Sequence, residues 1–336
     1  MTLQLATLER VPPGFLDASP ADLHAVLGGP TLVHLPGRRA APLFVSALLH
    51  GNEDVGLRAL QALLRRHAGR TLPRALSFLI GNVRAARAGV RYLPGEPDYN
   101  RVWPGTPLPD GPEVRLMRGV VEAMRARRVF ASIDLHNNTG LNPHYACLTR
   151  LDPAFLQFAS LFSRTVVYFR MPLGVQTAAF AVLCPSVTCE CGQPGDAAGA
   201  LAACDFLDAA LHLDTIPARP VRPGDVHLFR TVATVRVPED VDASFDGRDA
   251  ALRFVPDLDH FNFRELAAGT LLGWARDAAR LQVIDDQGAD VSRSLLSTEG
   301  GTLRLARPLM PAMLTRDLAV VRQDCLCYLM ERLPLP

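Results

Sequence analysis

Lysine does not occur in the 336-residue chain, so all 35 of its basic residues are arginine. That absence excludes chemistries that need an ε-amine: a Schiff-base lysine, a pyridoxal-phosphate anchor, a P-loop lysine or a Ser–Lys dyad. Long apolar runs are also missing. The longest, such as 41-APLFVSALL-49 and 178-AAFAVLC-184, fall far short of the roughly 20 residues of a membrane-spanning helix, so no membrane partner is expected. The first residues, 1-MTLQLATLERVPPG-14, lack a basic start followed by an apolar core and a small-residue cleavage site, which makes the cytoplasm the expected compartment. No long basic run appears, and 34 acidic residues leave a net charge of +1, so no nucleic-acid surface is indicated. Cysteine is sparse and unpaired in pattern. Its seven copies are an odd number without framework spacing and read as reduced, buried thiols. Cys189 and Cys191 form a CxC pair whose side chains would share one strand face with Glu190 opposite, but no second cysteine pair lies at zinc-site spacing.

What is present suits a globular protein: 49% hydrophobic and 21% charged residues. The length fits one large core with a smaller satellite. From residue 41 onward, short apolar runs alternate with amphipathic stretches, which predicts an α/β layered fold. Strands are expected at 43–50, 76–82, 129–136, 165–169 and 186–192, and helices at 53–69, 112–128 and 198–213. The strands are apolar throughout rather than alternating, so helices should cover both faces of the sheet. A Pro-rich stretch, 217-PARPVRPGD-225, ends this pattern. The division expected is a catalytic α/β domain over 1–218 and a smaller all-β domain over 219–336, with strands at 226–238, 270–275, 280–285 and 302–307.

Four constellations can carry chemistry. In 50-HGNE-53, His50 closes a buried strand and Glu53 opens a helix, so a turn can bring both side chains to one point. Sites in open α/β sheets form outside the carboxyl ends of strands, where this motif falls. In 132-SIDLHNNTG-140, His136 again closes an apolar strand. A single strand-end histidine is often a satisfied core residue, but two of them with a carboxylate make the three-ligand, open-position pattern of catalytic zinc. Asp134 lies two residues earlier on the same face, suited to orient an imidazole. In 186-SVTCECGQPGD-196, Glu190 interrupts a buried strand, and a buried carboxylate is costly unless paired or functional; burial beside a cation tunes a glutamate for proton transfer. The loop 82-NVRAARAGVRYLPGEPDYNRVWPG-105 carries Arg84, Arg87, Arg91, Asn100 and Arg101. An amide beside a guanidinium, as in Asn100 and Arg101, suits a substrate carboxylate, and another arginine could stabilise an oxyanion.

These residues resemble the succinylglutamate desuccinylase and aspartoacylase family of the zinc carboxypeptidase clan, in four ordered blocks. They are 50-HGNE-53; 82-NVRA with 91-RY and 98-DYNR; 133-IDLHN-137; and 190-ECG-192. The resemblance implies one zinc ion per chain on His50, Glu53 and His136, with Glu190 as general base. It further implies that Arg91 faces the polarised carbonyl, that Asn100 and Arg101 bind the substrate carboxylate, and that Arg84 supports them. The fold implied is a mixed twisted sheet flanked by helices with a carboxy-terminal β domain. One departure concerns the acyl group. The family pattern has a further arginine shortly before the general base to recognise an acyl carboxylate, and 174-GVQTAAFAVLCPS-186 has none.

The activity expected is hydrolysis of an amide bond in a small N-acyl amino acid or related compound with a free carboxylate, with room for a homo-oligomer. The alternatives are a zinc carboxypeptidase acting on short peptides and a non-catalytic zinc-binding regulatory protein. A dead site has no reason to keep a buried Glu190, and a β domain over the mouth would favour small substrates over an extended peptide.

Overall fold

A computed structural model of the chain describes residues 3–276 and 280–336. It divides into two compact units: residues 1–137, 144–227 and 335–336, and residues 138–143 with 228–334.

The first unit is built on strands β1 (Ala6–Leu8), β2 (Thr31–Leu35), β3 (Gly37–Ala47), β4 (Leu72–Ile80), β5 (Ala131–His136), β6 (Tyr145–Leu148), β7 (Thr165–Tyr168) and β8 (Ser186–Glu190). Their order in the sheet is β1-β2-β4-β3-β5-β8-β6-β7. The centre, β4-β3-β5-β8, is parallel, and antiparallel joints at β2/β4 and β6/β8 make the sheet mixed. The helices are α1 (Leu23–Leu27), α2 (Val55–Arg66), α3 (Val83–Ala88), α4 (Pro112–Ala126), α5 (Pro153–Ser160), α6 (Gln176–Phe180) and α7 (Ala197–His212). Helices α2 and α7 pack together, α2 against β5 and α7 against β4. Leu57, Leu60, Leu63 and Leu64 form the buried stripe of α2, as their helical spacing predicts. Gly56 lets this helix sit close to the sheet, because a Cβ there would lie 2.9 Å from Leu135 Cβ and 3.0 Å from Ala47 Cβ. Another core joins Met117, Val120 and Val121 of α4 to Phe44, Tyr99, Trp103 and Phe180. Phe44 stacks on Phe180 at 4.5 Å between ring centroids. The central strands are thus buried on both faces.

The elements expected in this unit are found with shifted ends, β3 closing at Ala47 rather than at residue 50, whereas helices α1, α3, α5 and α6 carried no sequence expectation. Helix α2 begins at Val55 rather than at residue 53, which leaves Glu53 in the preceding turn. The short strands β1, β2 and β6 carried no sequence expectation; β2 is fully buried over Thr31–His34, and its polar ends break the apolar pattern.

The second unit holds β9 (His227–Arg236), β10 (Ala243–Ser244), β11 (Leu252–Phe254), β12 (Leu271–Ala275), β13 (Gln282–Ile284), β14 (Leu296–Ser297), β15 (Thr302–Leu305), β16 (Met310–Ala312) and β17 (Cys327–Arg332). Strands β13-β9-β17-β16 are antiparallel neighbours, and β10-β11-β12-β15-β14 form a separate sheet. A shared apolar core includes Val235, Phe254, Leu272, Val283, Leu303 and Leu329. The unit is mostly β but also carries short helices at Ser292–Leu295 and Leu318–Gln323. Among the described residues, no helix is long and apolar enough to cross a membrane.

One backbone approach sets the position of the ligand turn. A Cβ at Gly51 would lie 2.2 Å from the main chain of Ala85 and Ala86 in α3, while the Gly51 N–H donates to the Arg91 carbonyl at 3.0 Å. Gly51→Ala should therefore destabilise the protein by at least about 2 kcal/mol, because backbone rather than a flexible side chain must move. Chemical denaturation measures this, and an unchanged midpoint would show that the turn tolerates the extra carbon.

Candidate active site

The site begins where β3 stops. Leu48 takes a left-handed backbone conformation, φ 53°, which costs a non-glycine residue on the order of 1–2 kcal/mol. The end of β4 holds it there: Gly81 N–H donates to the Ala47 carbonyl at 3.0 Å and Asn82 N–H to the Leu48 carbonyl at 2.6 Å. This turn directs His50 inward, where it is 3% exposed. Glu53 follows one turn later, just ahead of α2. The first N–H of that helix, at Val55, donates to Asn137 Oδ1 at 3.0 Å, so the helix start is tied to the residue after His136. On the sheet, β5 and β8 pair in parallel with Asp134 opposite Thr188 and His136 opposite Glu190. Residues in register on neighbouring strands point to the same face, which puts Glu190 beside His136.

His50, Glu53 and His136 are all buried, and their potential ligand atoms lie within 4.8 Å of one another. Glu53 Oε1 is 2.7 Å from His50 Nδ1, and Glu53 Oε2 is 2.7 Å from His136 Nδ1. Each imidazole meets a second carboxylate from behind: His50 Nε2 lies 2.9 Å from Asp98 Oδ1, and His136 Nε2 lies 2.8 Å from Asp134 Oδ2. Ser46 Oγ donates to the other Asp134 oxygen at 2.6 Å. If each Nε2–H is donated to its aspartate, both Nδ1 lone pairs face the Glu53 carboxylate. Three acceptors then converge on one point, which is stable only with a cation among them.

The electrostatics lead the same way. Burial pushes the Glu53 carboxyl up, but His50 and His136 outweigh it and hold the group well below the usual carboxylate range. Burial likewise opposes ionisation of Asp98, and His50 and Arg91 overcome it. Burial, joined at His50 by the Arg91 charge, works against both imidazolium forms. Asp98 and Glu53 nevertheless lift His50, and Asp134 and Glu53 lift His136. Glu53, Asp98 and Asp134 bring three formal negative charges and Arg91 one positive. Unpaired charge is costly to bury, and a divalent cation held by two imidazoles and a carboxylate would balance the remainder. The donor set fits zinc, with three protein ligands and an open fourth position.

The other residues singled out by sequence distribute around this cluster. Arg91 donates through Nε at 3.2 Å and Nη2 at 3.0 Å to Asp98 Oδ2, with Nη1 3.6 Å from Glu53 Oε1. Asn100 is tied at both ends of its side chain. Its Oδ1 accepts from Gln176 N–H at 3.0 Å, and its Nδ2 lies 3.4 Å from Asp134 Oδ2 and 3.1 Å from His136 Nε2. Arg101 Nη1 donates to the Asn100 carbonyl at 2.8 Å. Arg84 is not drawn into the cluster; it pairs with Glu96 at 3.1 Å and is half exposed. Cys189 and Cys191 are free and fully buried, and burial pushes both thiols far up.

Sequence reasoning gave Asp98 no role, yet it is the acceptor shared by His50, Arg91 and the Asn100 N–H, the last at 2.7 Å. The usable signal was local. An aspartate that accepts from the backbone two residues on makes an Asx turn, and such a turn presents Asn100 and Arg101 in 98-DYNR-101.

Zinc titration of metal-stripped protein should give one ion per chain, and His50→Ala or His136→Ala should abolish it; full occupancy in both variants would overturn the ligand set. Asp98→Asn should weaken zinc binding about 10–100-fold with the fold intact, since it removes the charge that orients His50. Equal affinity in a competitive chelator assay would mean that Asp98 does not fix the imidazole.

Comparison with known proteins bears on the same segment. Residues 40–198 match the succinylglutamate desuccinylase/aspartoacylase catalytic domain. The succinylglutamate desuccinylase of Pseudomonas aeruginosa is 37% identical over 109 residues, a stretch that spans 31% of this chain and 32% of the relative. The fold is shared more widely. A succinylglutamate desuccinylase from Chromobacterium violaceum superposes with a TM-score of 0.56 at 19% identity, covering 89% of this chain and 87% of that one. A succinylglutamate desuccinylase/aspartoacylase from Rhodobacter sphaeroides gives 0.59 at 18% identity, covering 90% and 88%. Murine aminoacylase 3 gives 0.56 at 15% identity, covering 88% and 96%. With its four motif blocks inside the matched segment, residues 40–198 are similar to the succinylglutamate desuccinylase/aspartoacylase catalytic domain, and the fold around them is the one those solved structures share.

Proposed function

We propose that the protein is a zinc-dependent hydrolase that cleaves the amide bond of a small N-acyl amino acid, or a related compound with a free carboxylate. The observation that carries this reading is the buried convergence of His50, Glu53 and His136, with Glu190 in register beside His136. Relatives named as desuccinylases and an aminoacylase support an acylated amino acid as the substrate class.

When bound, the ion would polarise the scissile carbonyl and make a water molecule more acidic. Glu190 takes a proton from the attacking water and delivers it to the leaving nitrogen, which needs one carboxylate that alternates between two protonation states. Arg91, braced by Asp98, keeps its guanidinium beside the ligand carboxylate and stabilises the oxyanion that develops on the substrate. Arg101 pairs with the free carboxylate of the amino-acid half. Because the Asn100 amide is already engaged by Gln176 and Asp134, its contribution is to lock the loop that presents Arg101 rather than to contact substrate. Arg84 acts at a further remove, by holding Glu96 against that loop. The segment 174–186 supplies no arginine for a second carboxylate, so the acyl group in this reading carries none.

Glu190→Gln keeps the shape of the side chain and removes the proton acceptor. Turnover of the best substrate in a panel of N-acyl amino acids should fall about a hundredfold or more, with zinc still bound. Near-normal turnover would assign the base elsewhere, and cleavage of carboxy-terminally free dipeptides in place of N-acyl amino acids would make the enzyme a carboxypeptidase.

A charge-assisted pair of the kind proposed for Arg101 contributes roughly 1.5–3 kcal/mol. Esterifying the substrate carboxylate should therefore cost the wild type at least about tenfold in kcat/KM, while Arg101→Ala should hydrolyse acid and ester almost equally. A wild type that accepts the ester as readily as the acid would remove Arg101 from substrate recognition.

A further inference from the structure

At the opposite end of the parallel strands from His50 lies an open cleft of about 450 Å³, lined by Arg38, Arg39, His67, Arg70, Thr71 and His212. Arg38 and Arg39 open β3, His67 follows α2, Arg70 and Thr71 precede β4, and His212 ends α7. The length of β3 separates this cleft from the ligand cluster by on the order of 30 Å, so none of its residues serves the chemistry described above.

We propose that this cleft binds a small multivalent oxyanion of the phosphate type. Basic residues at the ends of helices often do no more than offset the helix dipole, and at the end of α7 that need is already met. Arg74, buried behind the cleft, donates to the carbonyls of Leu213 at 2.8 Å and Ala41 at 2.9 Å and lies over the Phe130 ring. The nearby acids are committed as well. Asp208 takes His67 Nε2 at 2.7 Å and Arg66 at 3.2 Å and lies 3.6 Å from His212 Nδ1, while Asp214 pairs with Arg39. Arg38 and Arg70 remain, and among the described residues no acidic group pairs with either. Two unmatched guanidiniums in one cleft, beside a threonine hydroxyl and two imidazoles, gather several N–H and O–H donors in one place. Such a lining is suited to an oxyanion with several acceptor atoms, which arginine engages through two parallel N–H groups. Among the described residues, none of those lining the cleft is acidic.

Isothermal titration of the zinc-loaded full-length protein with inorganic pyrophosphate, with zinc content measured before and after, tests the assignment. One saturable site per chain is expected. The double substitution Arg38→Ala/Arg70→Ala should weaken it at least about tenfold, with zinc content and melting temperature unchanged, because both side chains are exposed. Absence of saturable binding in the wild type overturns the proposal, as does a double variant that binds pyrophosphate as tightly, which would locate the anion elsewhere, including at the zinc cluster.

Discussion

The Glu53 carboxylate, set between two imidazole Nδ1 atoms at 2.7 Å each, is the contact on which the arrangement of the first unit turns. A carboxylate and two imidazoles can share one buried point only if their remaining polar atoms are satisfied. Asp98 and Asp134 satisfy the two Nε2 positions. Each aspartate is in turn held by a different part of the chain: Asp98 by Arg91 and the Asn100 N–H, Asp134 by Ser46 on the neighbouring strand. The cluster is thus a closed set of donors and acceptors around a point that suits positive charge. Removing one member leaves a buried group unpaired, which is more damaging than the loss of a single hydrogen bond.

The surrounding packing serves this convergence. Four parallel strands buried on both faces provide a rigid floor, and the site forms where β3, β5 and β8 end together. Local strain is accepted at that edge: Leu48 is left-handed, and Gly51 is pressed against the backbone of α3. Backbone strain of this kind persists when surrounding hydrogen bonds over-determine it, and the Gly81 and Asn82 N–H groups do so here. Placing Glu53 before α2 instead of inside it gives its side chain the freedom to turn back toward both histidines, while Asn137 caps the helix across the same gap.

An all-arginine set of basic residues also shapes the molecule. Many arginines are matched to aspartate or glutamate, either in exposed pairs of small energetic value or, like Arg91, in a part-buried fork against Asp98. The informative ones are those whose partners are insufficient. Around His50, Glu53 and His136, negative charge exceeds positive, which suits a cation. At the far end of the sheet, Arg38 and Arg70 exceed their acids, and the imbalance has the opposite sign. One scaffold therefore presents complementary charge deficits at the two ends of its strands.

By itself, the sequence determined the layered α/β class, the apolar stripe of α2, the strand-end position of His136, and the buried placement of Glu190, whereas His50, expected to close its strand, stands three residues beyond the end of β3. Each follows from local pattern: runs of apolar residues, helical spacing, or a polar residue closing an apolar strand. The four motif blocks extended this to a resemblance to one catalytic domain, which residues 40–198 match. Tertiary structure alone decided what those residues do to one another. Asp98 becomes a hub only because a loop distant in sequence brings it against His50. Asn100 proves to be tied to Gln176 and Asp134, and Arg84 is diverted to Glu96, outcomes that depend on partners no spacing rule identifies. The short strands β1, β2 and β6, and the inclusion of residues 138–143 in the second unit, were equally hidden. Pairing across the sheet depends on which strands become neighbours, and linear periodicity reports burial but not the identity of the partner.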